Sequence, residues 1–135
     1  MIRSHLFRPT MATLLVSAFI APTCYGSTSA ELEATYTAQA GAPASPARGQ
    51  ELFTTRHGRE WSCSSCHGAV PIRAGSHAAT GKPIAPLAPA FNTERLTDAA
   101  KTEKWLRRNC NDVVGRECSA AEKADVISWL RTLKP

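Results

Sequence analysis

Methionine is nearly absent. The chain has 135 residues and two methionines, Met1 and Met11, so nothing beyond position 11 can offer a thioether sulfur as a ligand. Long apolar runs are missing too. The stretch Met11 to Ala21, broken by Thr13 and Ser17, is too short for a good membrane span, which needs about 20 apolar residues. No segment alternates apolar and polar residues as a half-buried strand would, and none repeats. The formal charge of +5 is too mild to argue for nucleic acid. These absences leave one small all-α domain, with a modest core that a bound apolar group would enlarge.

The first 26 residues read as a secretory signal peptide. Arg3 and Arg8 form a basic start, the apolar run follows, and after Pro22 come small residues suited to cleavage after Gly26 or Ala30. Cys24 lacks the Leu-x-Gly context of a lipid anchor. The domain is then 27–135, with a charge near +3 once Arg3 and Arg8 are removed. Export in the bacterial manner implies a periplasmic, oxidising location without stable membrane insertion after cleavage.

Against that background stands Cys63-Ser64-Ser65-Cys66-His67. This C-x-x-C-H pattern is the attachment signature of a c-type haem. Two thiols at this spacing reach two vinyl groups from one tight turn, and His67 follows closely enough to meet the iron from one face. Zinc would want a second matched pair, and Cys110 and Cys118 are eight apart. A thioredoxin-like redox pair would want a βαβ context, which is missing.

The flanks are helical. Thr28-Ser29-Ala30-Glu31 is a capping box for a helix over about 30–40, stopped by Gly41. Ser45 caps, and Pro46 opens, a helix to about Thr55 that carries Gly49 and Phe53. An internal glycine costs about 1 kcal/mol against Ala, so Gly49 suggests close approach by another helix. From 68 to about 96, Gly and Pro punctuate a loop whose apolar stretch Pro83–Pro89 needs something to pack on, for which a haem edge would serve. A helix over 97–109, capped by Thr97 or Asp98, places Trp105, Leu106 and Asn109 on one side. Ser119-Ala120-Ala121-Glu122 is a capping box for a helix over about 120–133, where Val126, Ile127, Leu130 and Leu133 give a core-facing stripe.

With Met excluded, the second axial position falls to His57, His77, Asn109, a lysine or nothing. His57 is too near the motif to reach the opposite face without wrapping round the haem edge. His77 sits in the long loop and can reach, which would give a closed, bis-histidine iron. Asn109 stands at the expected end of its helix, where the residues alone favour a cap over an iron ligand. Cys110 and Cys118, left over after haem attachment in an exported chain, are expected to pair, stabilising by roughly 2–3 kcal/mol.

The stretch from about Ala30 to Leu133 resembles the SHP-type cytochromes c, oxygen-binding monohaem proteins. The resemblance is carried by Cys63–Gly68, Thr80–Pro89, Lys104–Cys110, Gly115–Cys118 and Glu122–Asp125. It implies a class I cytochrome c fold in which the first and last helices cross, Gly49 and Phe53 meeting Trp129 and Leu130. It implies one covalent haem c on Cys63 and Cys66, His67 as proximal ligand, Asn109 as distal ligand to ferric iron, and a Cys110–Cys118 disulfide. In that family the asparagine leaves iron on reduction, opening it to oxygen, carbon monoxide or nitric oxide, and a dihaem cytochrome c is associated as electron donor. Ligand binding and electron exchange are therefore the expectation, and enzymatic turnover of oxygen or nitrogen oxides leaves no motif of its own. The alternatives are a bis-histidine electron carrier using His67 and His77, and a thiol–disulfide enzyme using Cys63 and Cys66. Lys101, Lys104, Arg107 and Arg108 suit either an acidic partner or a solvated helix face, and Arg73 and Lys82 could pair with propionates.

Overall fold

The computed structural model describes residues 27–135; the expected signal peptide lies outside the described residues. Five helices and one minimal hairpin follow in the order α1 (Ser29–Ala40), α2 (Pro46–Thr54), α3 (Cys63–His67), β1 (Gly75–Ser76), β2 (Pro83–Ile84), α4 (Ala99–Val113) and α5 (Ala120–Thr132). The all-α expectation holds.

The helix ends are set by side chains at the expected places. The Thr28 hydroxyl accepts from Glu31 N–H while the Glu31 carboxylate accepts from Thr28 N–H, and Ser119 and Glu122 repeat the exchange at α5. Each such cap is worth about 1 kcal/mol. Gly41 ends α1 in the left-handed conformation, at φ 65°, its N–H donating to Thr37 and Ala38 carbonyls. Ser45 caps α2 with Pro46 in its first turn.

α5 is the central element, packing against both α1 and α2. Leu32 and Tyr36 of α1 meet Ala124 and Ile127, with Leu106 of α4 alongside. On the α2 side Phe53 meets Val126, Trp129 and Leu130, its ring 4.9 Å from that of Trp129. Burying a side chain such as Phe53 or Leu130 contributes about 1.5–3 kcal/mol. The expectation for Gly49 is borne out. A Cβ there would lie 2.0 Å from the Asp125 carbonyl oxygen and 2.8 Å from Val126 N, so only glycine lets α2 and α5 cross this closely.

Charged side chains of α5 reach each neighbouring helix. The buried Asp125 carboxylate accepts from Arg48 Nε at 2.7 Å and from Ser45 N–H at 2.6 Å, both from the α2 end. The buried Lys123 ammonium donates to both Glu103 oxygens on α4, and Tyr36 of α1 donates its hydroxyl to the same carboxylate at 2.7 Å. Burial, together with this bond to Glu103, raises the Tyr36 pKa above its ordinary value. Arg131 pairs with Glu33 of α1.

Two expectations are corrected. α4 starts after Asp98 but runs to Val113, four residues past the expected end, so Asn109 lies inside the helix and is not its cap. The N–H groups of Val114 and Gly115 both return to the Cys110 carbonyl and close the helix there. The long loop also contains strands that were not expected: Gly75 pairs with Ile84 and Ser76 with Pro83, antiparallel. Two-residue strands are too short to show alternation.

Candidate haem site

α3 brings the three motif residues together. Ser62 precedes it, its N–H donating to the Ser65 hydroxyl at 3.0 Å while Ser65 N–H donates to the Ser62 carbonyl at 3.1 Å. Gly68 ends it at φ 77°. Neither Cys63 nor Cys66 is joined in a disulfide. Cys63 packs on the Phe53–Leu130 cluster together with Leu87 and Leu96. Its burial pushes the thiol pKa up to about 11. The His67 ring lies 6.0 Å from that of Phe53. Burial, and then the positive charge of Arg95, lowers the His67 pKa and favours the neutral imidazole that ligates metals.

The loop after α3 folds back onto it. A Cβ on Gly75 would fall 2.0 Å from the Cys66 carbonyl oxygen, so the absent side chain lets the hairpin lie on the motif. Ala78 N–H points at the Cys66 sulfur from 3.2 Å. The apolar stretch expected to need a packing partner finds one in part: Leu87 packs on the Phe53 cluster and Ala88 is fully buried, while Leu87 and Ala88 N–H both donate to the Pro71 carbonyl.

The other candidates are placed apart. His57 is half-buried, its Nε2 2.9 Å from the Leu52 carbonyl oxygen, which fixes the ring in the scaffold. His77 is exposed in the hairpin turn, and its Nδ1 accepts from the N–H groups of Ala79 and Thr80. Asn109 lies on α4, one turn from Trp105. Trp105 is 44% exposed despite its size, and the Arg108 guanidinium stands 5.7 Å from its ring centre. Asn109 itself is exposed, and its amide has no hydrogen-bond partner among the described residues. Of Trp105, Leu106 and Asn109, expected on one side of the helix, Leu106 alone packs against the core. Cys110, the next residue, is bonded to Cys118 as expected. Lys101, Lys104, Arg107, Arg108, Arg73 and Lys82 are all exposed.

The donor set fits a c-type haem better than its rivals. A thiol–disulfide centre needs a thiol whose pKa is lowered, and burial moves Cys63 the other way. Among the described residues no three His, Cys, Asp or Glu side chains converge as a metal-binding cluster. Two adjacent thiols and a neutral imidazole on one short helix match thioether attachment with one axial ligand. Arg95 and Leu96, which flank this side of the site, carried no sequence signal.

A short C-x-x-C-H helix on the crossing of α2 and α5 defines a small class I cytochrome c. The family model described as a domain of unknown function, DUF1924, matches residues 39–130. The cytochrome c-type protein SHP of Cereibacter sphaeroides is 52% identical over 123 residues, covering 87% of this chain and 95% of that protein. The chain belongs to the DUF1924 family and to the SHP-type cytochromes c. A solved structure of oxidised SHP, described as an oxygen-binding cytochrome c, superposes with a TM-score of 0.76 at 49% identity, covering 80% of this chain and 99% of that one. The oxidised cytochrome c'' of Methylophilus methylotrophus superposes with a TM-score of 0.69 at 37% identity, covering 79% and 95%.

Proposed function

We propose that the protein is a ligand-binding monohaem cytochrome c whose second axial position is gated by redox state through Asn109. Cys63 and Cys66 hold one haem c as thioethers, and His67 is the proximal ligand. When bound, the haem supplies an iron that exchanges one electron and accepts a diatomic ligand such as oxygen, nitric oxide or carbon monoxide. Asn109 would offer a neutral, hard amide oxygen, which suits ferric iron better than ferrous, so that reduction would favour its release. Cys110, tied to Cys118, limits how far the chain beyond Asn109 shifts on release.

The observation that carries this reading is the uncovered edge of α4, where an unpartnered amide and an exposed indole stand one turn apart. His77 is the weaker choice because its imidazole is folded onto its own turn and that turn is tied to Cys66. The likeness to an oxygen-binding relative supports the ligand class. The disulfide supports export through a signal over 1–26 into the periplasm, since such bonds persist in oxidising compartments. No helix among the described residues is long and apolar enough to cross a membrane. The exposed Lys101, Lys104, Arg107 and Arg108 support docking of an acidic redox partner, a dihaem cytochrome c by family analogy.

Optical spectra of the matured protein test the reading in the ferric, dithionite-reduced and carbon monoxide-treated states. A high-spin ferrous spectrum that converts on adding the gas is expected, and Asn109→Ala alters the ferric spectrum alone. A low-spin ferrous spectrum indifferent to carbon monoxide, or an unchanged ferric spectrum in Asn109→Ala, overturns the gate and makes His77 the ligand to test.

A further inference from the structure

One carboxylate joins three helices. Glu103 of α4 accepts from the Lys123 ammonium of α5 at 2.7 and 3.0 Å, and from the Tyr36 hydroxyl of α1 at 2.7 Å. The same ammonium stands 5.4 Å from the centre of the Tyr36 ring. Lys123 and Tyr36 are both buried. Taking an ammonium out of water costs free energy that a single carboxylate returns only in part, and apolar side chains of similar volume would serve stability as well. What such a node supplies is direction, because hydrogen bonds prefer particular angles and apolar contacts do not.

Direction matters for α4. α1 and α2 both lie closely along α5, and among the described residues α4 makes no comparable crossing with another helix. Leu106 touches the α1–α5 cluster, and Cys110 is bonded to Cys118. An apolar contact and one fixed point leave a helix free to turn about its own axis. Successive residues are about 100° apart around a helix, which puts Glu103 and Asn109 about 120° apart on α4. The arc between them holds Thr102, Leu106, Cys110 and Val113, the side that faces the core. Glu103 and Asn109 are therefore its two margins. A tie at one margin sets the roll of the helix, and roll carries the other margin with it. A roll of about 20° moves a side-chain tip about 5–6 Å from the axis by about 2 Å. A coordinate bond tolerates about 0.2 Å.

We propose that Glu103, held by Lys123 and Tyr36, is a positioning residue for the second axial ligand: the node sets the roll of α4 and so decides how firmly Asn109 holds ferric iron against a competing ligand. The inference rests on the reading of Asn109 given above. It adds that the strength of the gate is set by residues of α1, α4 and α5 that do not themselves hold the haem. An α4 freed from the node yields the axial position to an added ligand more readily.

The test is an optical titration of the matured ferric holoprotein with imidazole. Imidazole competes with Asn109, so its apparent affinity scales with the fraction of iron that Asn109 leaves open. Asn109→Ala gives the affinity without that competitor. Glu103→Gln keeps an acceptor for Tyr36 and loses the ion pair, and is expected to raise the imidazole affinity about tenfold, within the range usual for coupled sites. In the Asn109→Ala background the same change should have no effect. Exchanging the charges, Glu103→Lys with Lys123→Glu, rebuilds the tie and should return the affinity toward that of the parent. Should Glu103→Gln fail to mature, Tyr36→Phe leaves the ion pair in place and should shift the affinity the same way by a smaller factor; no shift there overturns the proposal. A Glu103→Gln protein that is less stable but binds imidazole as the parent does would reduce the node to scaffold. A shift that persists without Asn109 would overturn the proposal as well. If Asn109→Ala alone leaves the affinity unchanged, it is the gate that fails, so the two failures are told apart.

Discussion

Replacing Gly49 by alanine should separate the two forces acting at the α2–α5 crossing. Helix propensity alone favours the change by about 1 kcal/mol. Packing opposes it. The new methyl would stand 2.0 Å from the Asp125 carbonyl oxygen and 2.4 Å from its carbon. An ordinary contact needs about 3.5 Å or more, so the helices must part by more than an ångström. Both partners are backbone and cannot rotate away. A gap of about 1 Å forfeits up to half of the dispersion energy of facing atoms. The atoms that lose contact include Phe53, Val126 and Leu130. The same movement stretches the bonds from Ser45 and Arg48 to the buried Asp125 carboxylate. Overpacking of this kind costs about 1–3 kcal/mol before the polar terms are added. With about 1 kcal/mol for the weakened polar bonds, and set against the propensity gain, a net loss of about 1–3 kcal/mol is expected. Urea denaturation of the ferric holoprotein, followed by circular dichroism, measures it, with the exposed Gln50→Ala as a neutral comparison. A Gly49→Ala protein as stable as the parent would show that the crossing is not close-packed, and the reasoning would fail.

Two further outcomes are expected. Lys123→Ala removes the cation that joins α5 to Glu103. Glu103 is half-exposed and keeps the Tyr36 hydroxyl, so the loss should be about 2 kcal/mol and not the full penalty of a buried unpaired charge; amide exchange should quicken in α4 more than in α2, and a loss below about 0.5 kcal/mol would refute the strut. Glu122 is held down to about 2 by the Arg116 guanidinium and the Ser119 cap. A carboxylate with a depressed folded-state pKa stabilises above its unfolded value and loses that contribution as pH falls toward the folded one. Stability should therefore decline between about pH 5 and pH 2, by about 1 kcal/mol for this partly exposed group after solvent screening. Glu122→Gln should flatten that part of the urea-midpoint profile, and an unchanged slope would count against the pair.

Much of the scaffold could be read from the chain because its punctuation is local. Thr28, Ser45, Asp98 and Ser119 cap the helices they precede, and a cap depends on residues within one turn. The Cys63–His67 motif was legible for the same reason. What escaped depends on distant partners. Arg95 finds its acceptors at Ala85 and Pro86, ten and nine residues back in an irregular segment, and no periodicity marks such a pair. The end of α4 was misjudged because Asn111 and Asp112 are weak helix formers, whereas the helix continues through Cys110 to a closure at Gly115. Nothing in the spacing flags Lys123 and Asp125 as buried, since their partners come from α4 and α2. The uncovered state of Trp105 was missed because periodicity separates the faces of a helix without saying what each one meets.

The charges along α5 have a consequence for how many ways this chain can fold. Lys123, Asp125 and Arg131 each find a partner on a different helix. An apolar stripe by itself tolerates sliding, because a slip of one turn, about 5.4 Å, brings similar side chains into similar grooves. Here the same slip would strand an ammonium and a carboxylate in the interior, each at a cost of about 3–5 kcal/mol. Misregistered packings of α5 are thereby lifted well above the native one, although the native pairs themselves add little net stability. The three charges act as a key for helix register, and through it they set the crossing on which α3 rests.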